Sequence, residues 1–304
     1  MELITYQRGD ISHVALIGRL DAQGVGKMEH VFAEATSGRG LPTVVDVSGI
    51  TFMTSLGIGM LFANTRKLKK AGCKLVLFNP QGMVETVLRT SKMEKLMPIV
   101  FEFAEAVRSV GGDPAIVSVL APANRDSATA EASSDSARSI PAENVLKLAI
   151  TNSMPELEGL YAAVNQFLER HHVPYRSGYA VNLALEELVV NIIRYAYMDD
   201  DPHQIDIGIG IVEGQVILEL RDSGRPFDPR EAPPHDVEDE DLEVGGLGLV
   251  LVLDIVDSLT YRRQNDANHV QVCIRLSDED EGRLWSAESA AQSTGDDQNG
   301  LASG

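Results

Sequence analysis

Cysteine, tryptophan and long apolar runs are all scarce in this sequence of 304 residues. Its two cysteines, Cys73 and Cys273, lie within apolar strand-like segments, so we expect buried thiols rather than a disulfide or a metal pair. No segment approaches the roughly 20 apolar residues of a membrane span, and the N-terminal residues lack the basic-then-apolar order of a signal peptide. We therefore expect a cytoplasmic protein that does not associate with membranes.

Positive charge is also scarce, because 26 Lys and Arg residues are set against 45 Asp and Glu residues, which gives a net charge of −19. Residues 1–110 contain 13 basic and 10 acidic side chains, whereas residues 111–304 contain 13 basic and 35 acidic ones. Proteins gain affinity for nucleic-acid backbones from Lys and Arg. The composition therefore argues against direct nucleic-acid binding and favours protein partners.

Length and a change in composition indicate two domains. A chain of this length exceeds the size at which a single hydrophobic core stops growing. Residues 111–144 are rich in Ala, Ser and charge, which predicts a flexible linker, and residues 277–304 are polar and acidic, which predicts no fixed structure. The predicted domains are therefore 1–110 and 145–276.

Hydrophobic periodicity predicts α/β structure in both domains. Within residues 1–110, strand-like segments lead and then alternate with helical segments, four strands and three helices in all, as expected of a small α/β sandwich. In the second domain we predict a strand, two helices and two β-hairpins, with a capping box of Ser153 and Glu156 at the first helix. The predicted bounds are 145–150 for the strand, Pro155 to about Arg170 and 177–197 for the helices, and 203–222 and 259–276 for the hairpins.

The predicted helix over 177–197 has one apolar face and one face with chemical groups. Ala184, Glu187, Asn191 and Arg194 are spaced by three and four residues and share the second face. A carboxylate and an amide four residues apart can together hold a hydrated Mg²⁺ and orient a nucleophile, because Mg²⁺ prefers oxygen ligands. The alternative is that Glu187 and Asn191 belong to an ordinary solvated helix face.

Two further segments contain candidate binding residues. Asp222 follows an apolar strand, where its carboxylate could accept a hydrogen bond from an exocyclic amine, and Gly224 would let a ring approach the backbone. A strand-ending turn is the alternative for this segment. Residues 245–249 (Gly-Gly-Leu-Gly-Leu) open an apolar helix, so free N–H groups there favour phosphate, with a hinge as the alternative.

The order of these motifs is more informative than each motif alone. Residues 186–191 (Glu-Glu-Leu-Val-Val-Asn), 222–229 (Asp-Ser-Gly-Arg-Pro-Phe-Asp-Pro) and 245–249 together resemble the GHKL ATP-binding family. Within that family the sequence from Leu146 to Leu276 is most similar to the anti-sigma-factor serine kinases of the RsbW type. The resemblance implies an α/β sandwich with helices on a mixed sheet and ATP held beneath a mobile lid.

The resemblance also implies a role for each matching residue. Asn191 would bind Mg²⁺, Glu187 would act as a general base or orient water, and Asp222 would recognise adenine. The glycines that would make room for the nucleotide and its phosphates are Gly224, Gly246 and Gly248.

Two features depart from the family pattern. Pro226 stands where many GHKL proteins repeat glycine, although the Pro-Phe-Asp-Pro form fits the anti-sigma kinase branch. The segment at the lid position has six carboxylates between Asp236 and Glu243, which would repel a triphosphate unless they face outward or Mg²⁺ offsets them. We find no separate phosphohistidine domain, which argues against a sensor histidine kinase, so His171 and His172 are interpreted as helix-end residues.

In the first domain, Ser55 stands between a predicted buried strand and a predicted helix. This position predicts that Ser55 is the N-cap of the helix. A phosphate on a serine at this corner would interact favourably with the helix dipole and would add nearly two negative charges to a docking surface.

The segment around Ser55 resembles the anti-sigma-factor antagonists of the STAS family, whose modified serine stands at such a corner. Residues 57–59 (Gly-Ile-Gly) follow the family pattern, and Asp46 matches an acidic position in the preceding strand. Thr54 replaces a common Asp and Leu56 replaces a common second serine. Whether Ser55 or Thr54 is the phosphoacceptor therefore stays open.

The leading hypothesis is a bacterial partner-switching regulator in which the second domain uses Mg-ATP to phosphorylate Ser55, with Glu187 as the base. The resemblance implies a sigma factor or another switch protein as partner, and is compatible with a homodimer through the kinase domain. One rival is a nucleotide-sensing scaffold without catalysis. Another is a kinase for a separate protein, with residues 1–110 as an internal inhibitor.

Overall fold

The computed structural model describes residues 1–112, 145–231 and 246–276. These residues form two five-stranded sheets, each packed against helices, so the predicted fold class of two α/β domains is confirmed. Among the described helices, none combines the length and the hydrophobicity that a bilayer span requires. Most of the predicted linker (113–144), the acidic segment Asp236–Glu243 and the C-terminal segment 277–304 lie outside the described residues.

The first domain contains a mixed sheet in the order β1-β2-β3-β4-β5. Strand β1 pairs antiparallel with β2, and the remaining neighbours pair parallel. The strands are β1 (Glu2–Arg8), β2 (Ile11–Leu20), β3 (Thr43–Met53), β4 (Leu75–Phe78) and β5 (Ile99–Val100), and the helices are α1 (Ala22–Ala35), α2 (Ser55–Lys70), α3 (Gly82–Thr90) and α4 (Phe103–Ser109). The sequence did not predict β5 and α4, because a two-residue strand and a seven-residue helix are too short to show a period.

The second domain contains a sheet in the order β6-β7-β8-β10-β9. Its strands are β6 (Val145–Thr151), β7 (Gln204–Val212), β8 (Gln215–Asp222), β9 (Ser258–Gln264) and β10 (Ala267–Arg275), and its helices are α5 (Leu157–Arg170), α6 (Tyr175–Tyr195) and α7 (Leu247–Ile255). All pairings among its described strands are antiparallel, whereas the resemblance implied a mixed sheet.

Local chemistry explains the turns of this second sheet. The β7–β8 turn has positive φ at Glu213 and Gly214, and the β9–β10 turn has positive φ at Asn265 and Asp266, as in the tight turns that fit twisted hairpins. Both predicted hairpins are confirmed.

The predicted capping box before α5 is wrong. The side chain of Ser153 caps nothing in the short 3₁₀ turn that precedes α5. The Glu156 carboxylate instead accepts hydrogen bonds from the backbone N–H (2.9 Å) and the hydroxyl of Thr151, at the end of β6. The 3₁₀ turn leads the chain into α5, which begins at Leu157 rather than at Pro155.

Helix α6 joins the two domains, because its N-terminal half packs on the end of β3. Tyr179 is completely buried, and its hydroxyl donates to the carbonyl oxygen of Met53 (3.2 Å) and accepts from the N–H of Met53 (3.1 Å). The ring of Tyr179 also contacts the ring of Phe52, with centroids 4.8 Å apart. Since β4 pairs with β3 only as far as Asp46, the last part of β3 is free to receive these contacts. Buried apolar residues of both domains therefore form one continuous cluster.

The two cysteines are free thiols, as expected, but neither is fully buried. Cys73 and Cys273 both have intermediate exposure. Cys73 precedes β4, and Cys273 alternates along β10 with the inward-facing residues Val272 and Ile274. An apolar run does not distinguish the two faces of a strand, so burial was over-predicted at both positions.

Gly57→Ala should destabilise the protein, whereas Gly26→Ala should stabilise it. A Cβ atom on Gly57 would lie 2.6 Å from the carbonyl oxygen and 2.7 Å from Cγ of Leu20, so α2 would have to move away from β2, at a cost of about 1–3 kcal/mol. Gly26 lies inside α1 with no atom within 4 Å of such a Cβ, and alanine there should add about 0.5–1 kcal/mol. Thermal denaturation of both variants tests this explanation. Midpoints that move in the same direction relative to the wild type would contradict it.

Candidate active site between the two domains

Ser55 and Glu187, which are 132 residues apart in sequence, meet between the two domains. The N–H of Ser55 donates to Oε1 of Glu187 and the hydroxyl of Ser55 donates to Oε2, each at 2.7 Å. Both side chains are buried, with exposed fractions of 8% and 5%. The candidate phosphoacceptor and the candidate base are therefore in direct contact.

The prediction that Ser55 is the N-cap of α2 is wrong. Ser55 is the first helical residue, and Thr54 is the N-cap, with extended backbone angles (φ −115°, ψ 176°). Thr54 is fully buried and its hydroxyl is turned towards the carbonyl oxygen of Leu20, so it caps no N–H group of α2. Helix α2 has no acidic residue in its first turn, and Glu187 from the other domain accepts the N–H that a local cap would leave free.

The candidate residues on α6 run from the interior to the surface. Ala184 and Glu187 are buried, Asn191 is partly buried and Arg194 is exposed, so this face passes from the domain contact to solvent within three turns. Burial raises the pKa of the Glu187 carboxyl above its ordinary value, although the two hydrogen bonds from Ser55 and the charge of Arg194 oppose the shift. Glu187 is thus better able to take up a proton than an exposed glutamate.

Gly248 lies against the Ser55–Glu187 pair. A Cβ atom there would stand 2.0 Å from Oε2 of Glu187 and 3.0 Å from Oγ of Ser55, so no other residue fits without displacing the pair. Gly246 is the N-cap of α7 and has φ +94°, a conformation that favours glycine. The N-terminus of α7, a predicted phosphate position, is therefore adjacent to Ser55, whereas Gly245 lies outside the described residues.

Asp222 ends β8 and is buried, with an exposed fraction of 5%. Its Oδ1 accepts hydrogen bonds from the N–H of Gly224 (2.8 Å) and from Nδ2 of Asn268 (2.9 Å). A Cβ atom on Gly224 would lie 2.5 Å from Cβ of Ala196, so this glycine also allows the loop to pack against the end of α6.

Asn268 is a buried polar residue of this site that the sequence analysis missed. Its Oδ1 accepts from Nη1 of Arg263 (2.8 Å) and the hydroxyl of Tyr261 (3.0 Å), and its Nδ2 also donates to the carbonyl oxygen of Arg225 (3.0 Å). The sequence did contain a signal for this residue, because Asn268 is a polar residue at an inward-facing position in the alternation of β10.

Glu186 is the second residue that the sequence analysis missed. It is 1% exposed, and its Oε1 accepts a hydrogen bond from the N–H of Ala22 in the first domain at 2.6 Å. Burial and the nearby charge of Asp21 raise the pKa of Glu186 well above its ordinary value. No sequence signal distinguishes it, since an acidic residue beside Glu187 is ordinary on a helix.

Three other candidates lie apart from the pair. Asp46 accepts hydrogen bonds from the N–H (2.9 Å) and the hydroxyl (2.6 Å) of Ser48. His171 is the C-cap of α5, and His172 follows it with φ +51°, so both are helix-end residues as expected.

Comparison with known families accounts for both halves of the chain. Residues 4–100 match the family model described as Mlab, STAS domain, and residues 151–274 match the model described as histidine kinase-like ATPase domain. The first part of the chain is therefore similar to STAS domains, and the second part is similar to histidine kinase-like ATPase domains. The two resemblances inferred from the motifs are thereby confirmed, and the second domain is a nucleotide-binding domain by type.

Two curated relatives each match slightly less than a third of the chain. The serine-protein kinase RsbW of Oceanobacillus iheyensis is 31% identical over 96 residues, which are 30% of this chain and 61% of that protein. The serine/threonine-protein kinase BtrW of Bordetella bronchiseptica is 29% identical over 97 residues, 31% of this chain and 68% of that protein. The chain thus spans about two thirds of these relatives or less.

Among solved structures, the anti-sigma factor antagonist SpoIIAA in its unphosphorylated form is 21% identical to this chain. The match covers 36% of this chain and 97% of that one, with a TM-score of 0.32.

Glu186→Gln should weaken the pH dependence of stability. Because the pKa of Glu186 is raised above 4.5 in the folded protein, the folded state binds this proton more tightly than the unfolded chain does. Stability therefore falls as the pH rises from that value through the raised pKa. Glutamine keeps an acceptor for Ala22 but has no charge, so the stability of the variant relative to the wild type should increase as the pH rises above 4.5.

Thermal denaturation midpoints at a series of pH values above 4.5 test the prediction, with the exposed Glu158→Gln on α5 as the control. Parallel curves for the wild type and Glu186→Gln would show that the Glu186 carboxyl is not the source of the dependence.

Proposed function

We propose that this protein is a serine kinase whose ATPase-like domain phosphorylates Ser55 of its own STAS domain, and that the phosphate switches the binding of a protein partner. The observation that supports this most directly is the 2.7 Å hydrogen bond from the Ser55 hydroxyl to Oε2 of Glu187. A hydroxyl nucleophile within hydrogen-bond reach of a buried carboxylate is the arrangement that general-base catalysis needs.

In the proposed reaction, Oγ of Ser55 attacks the γ-phosphorus of ATP while its proton passes to Oε2 of Glu187. The bond between the γ-phosphorus and the β,γ-bridging oxygen breaks, and ADP leaves. The raised pKa of Glu187 favours this role, because a base with a higher pKa holds the transferred proton better. Since transfer also depends on positioning, the existing contact favours reaction within one chain.

The residues around the pair fit a nucleotide. Both hydrogen bonds to Asp222 from the described residues end on Oδ1. Its Oδ2 can therefore accept a hydrogen bond from the exocyclic amine of adenine. The N-terminus of α7 at Gly246 and Gly248 favours phosphate beside Ser55. Asn191, one turn after Glu187 and partly exposed, would hold Mg²⁺, which would neutralise charge on the transferred phosphoryl group.

The same contact provides a switch. A phosphate on Ser55 would place nearly two negative charges beside the buried Glu187 carboxylate, so the domains would separate around Ser55 and uncover the start of α2. The partner class that this implies, from the STAS and RsbW resemblances, is a sigma factor or another switch protein. A purely nucleotide-sensing scaffold would not need the Ser55–Glu187 contact.

Incubation of the full chain with Mg-ATP should add one phosphate to Ser55. Glu187→Gln should slow its incorporation by about 10²–10⁴-fold, because the amide cannot accept the proton. Ser55→Ala should abolish it. Mass spectrometry of the intact protein and its peptides measures both effects, with Glu158→Gln as the exposed control.

Phosphate on Thr54 in place of Ser55 would show that the acceptor is the Thr54 hydroxyl and that the proposal names the wrong residue. Nucleotide binding with no phosphate on either residue would favour the scaffold, or a kinase whose substrate is another chain.

Asp222→Asn should weaken nucleotide binding without unfolding the domain. The amide oxygen can still accept from Gly224 and Asn268, but the amide nitrogen cannot accept from adenine, so affinity should fall by about ten- to a hundredfold. Titration calorimetry with ADP and thermal denaturation measure the two effects. A variant that binds as tightly as the wild type would exclude Asp222 from adenine recognition.

A further inference from the structure

Two consecutive glutamates on α6 contact the starts of two different helices in the STAS domain. Glu187 accepts the N–H of Ser55, the first residue of α2, and Glu186 accepts the N–H of Ala22, the first residue of α1. Neighbouring side chains on a helix point about 100° apart, so the two carboxyl groups can reach two different helices.

We propose that Glu186 is a positioning and specificity residue, which recognises the start of α1 and thereby aligns Ser55 with Glu187. This inference rests on the proposed kinase function and identifies how the kinase domain selects its substrate. The substrate class it defines is a domain with two neighbouring helix starts, one of which contains the acceptor serine. A serine in an extended peptide would satisfy Glu187 but not Glu186.

The contact of Glu186 exists only when the domains are docked. Ala22 belongs to the STAS domain, and the N–H of a first helical residue has no partner within its own helix. The backbone nitrogen of Ala22 and Oε1 of Glu186 are 2.6 Å apart, so the two groups are in direct contact. The docked state therefore satisfies an N–H group that separated domains would leave to water.

The bond from Ala22 is the hydrogen bond that the Glu186 carboxyl accepts within the described part of the chain. Oε2 of Glu186 has no hydrogen-bond partner among the described residues. Arg19, the cation nearby, is already paired with Asp21 at 2.8 Å, and its guanidinium lies 3.9 Å from the centroid of the Phe52 ring. Since burial of an unpaired carboxylate is costly, the bond from Ala22 stabilises Glu186 in this position, together with the nearby charge of Arg19.

The donor can be removed without breaking α1. Ala22→Pro deletes the N–H and places the ring Cδ atom where that N–H points, so it blocks the contact with Oε1 of Glu186. Proline is well tolerated at the first position of a helix, and Asp21 before it has extended backbone angles (φ −95°, ψ −173°). Glu186→Leu removes the acceptor, whereas Glu186→Gln keeps an acceptor oxygen. The measurement is the rate of Ser55 phosphorylation in the full chain at saturating Mg-ATP, with ADP affinity and thermal stability determined for each variant.

We expect Glu186→Leu and Ala22→Pro each to slow phosphorylation by about tenfold or more, and the double variant to be no slower than either single one. Glu186→Gln should retain a rate within about twofold of the wild type, and ADP affinity should be unchanged in all four proteins. Glu158→Leu, an exposed change on α5, is the matched control.

The outcomes distinguish the recognition role of Glu186 from the kinase activity on which that role depends. Wild-type rates in Glu186→Leu, or additive losses in the double variant, would overturn the recognition role and leave the kinase intact. Equal losses in Glu186→Gln and Glu186→Leu would also overturn it, since a lost acceptor would not then be the cause. Absence of phosphate on Ser55 in the wild type would overturn the kinase itself.

Discussion

The placement of the two domains depends on one buried carboxylate, that of Glu187, which accepts both the N–H and the hydroxyl of Ser55. A buried carboxylate is unfavourable without donors, and the first N–H of a helix is unfavourable without an acceptor. The first domain supplies the two donors at Ser55, and the second domain supplies the acceptor, the Glu187 carboxylate. Tyr179, which bonds both backbone groups of Met53 two residues before Ser55, holds the end of β3 in the matching position.

The same chemistry would make the contact sensitive to modification of Ser55. Burial raises the pKa of both Glu186 and Glu187, so part of the energy of apolar burial in the shared cluster offsets the cost of these two groups. A contact built in this way is sensitive to one added charge. A phosphate on Ser55 would meet a carboxylate in a place from which water is excluded, which is a direct physical route from modification to separation of the domains.

Glycine sets the distances in the site. Gly248 leaves room for the Glu187 carboxylate, Gly57 lets α2 approach β2, and Gly224 lets the loop after β8 approach α6. These close approaches place the N-terminus of α7, the start of α2 and the middle of α6 around the Ser55 hydroxyl. Asp222, the proposed adenine-binding residue, and Asn268 form a second buried polar group at the end of β8 and the start of β10.

The sequence by itself determined the fold class, both hairpins, most helices and the identity of the two domains, because these depend on periodicity, turn residues and motif order over short stretches. It also identified Ser55, Glu187, Asp222 and Gly248 as candidates, since each belongs to a local pattern. Only the tertiary structure decided that Ser55 is held by Glu187, that Thr54 is the N-cap of α2, and that Glu186 and Asn268 complete the two polar groups. The physical reason is that these facts are hydrogen bonds between segments distant in sequence, or depend on such bonds. The burial that makes these bonds necessary arises only when the segments pack together.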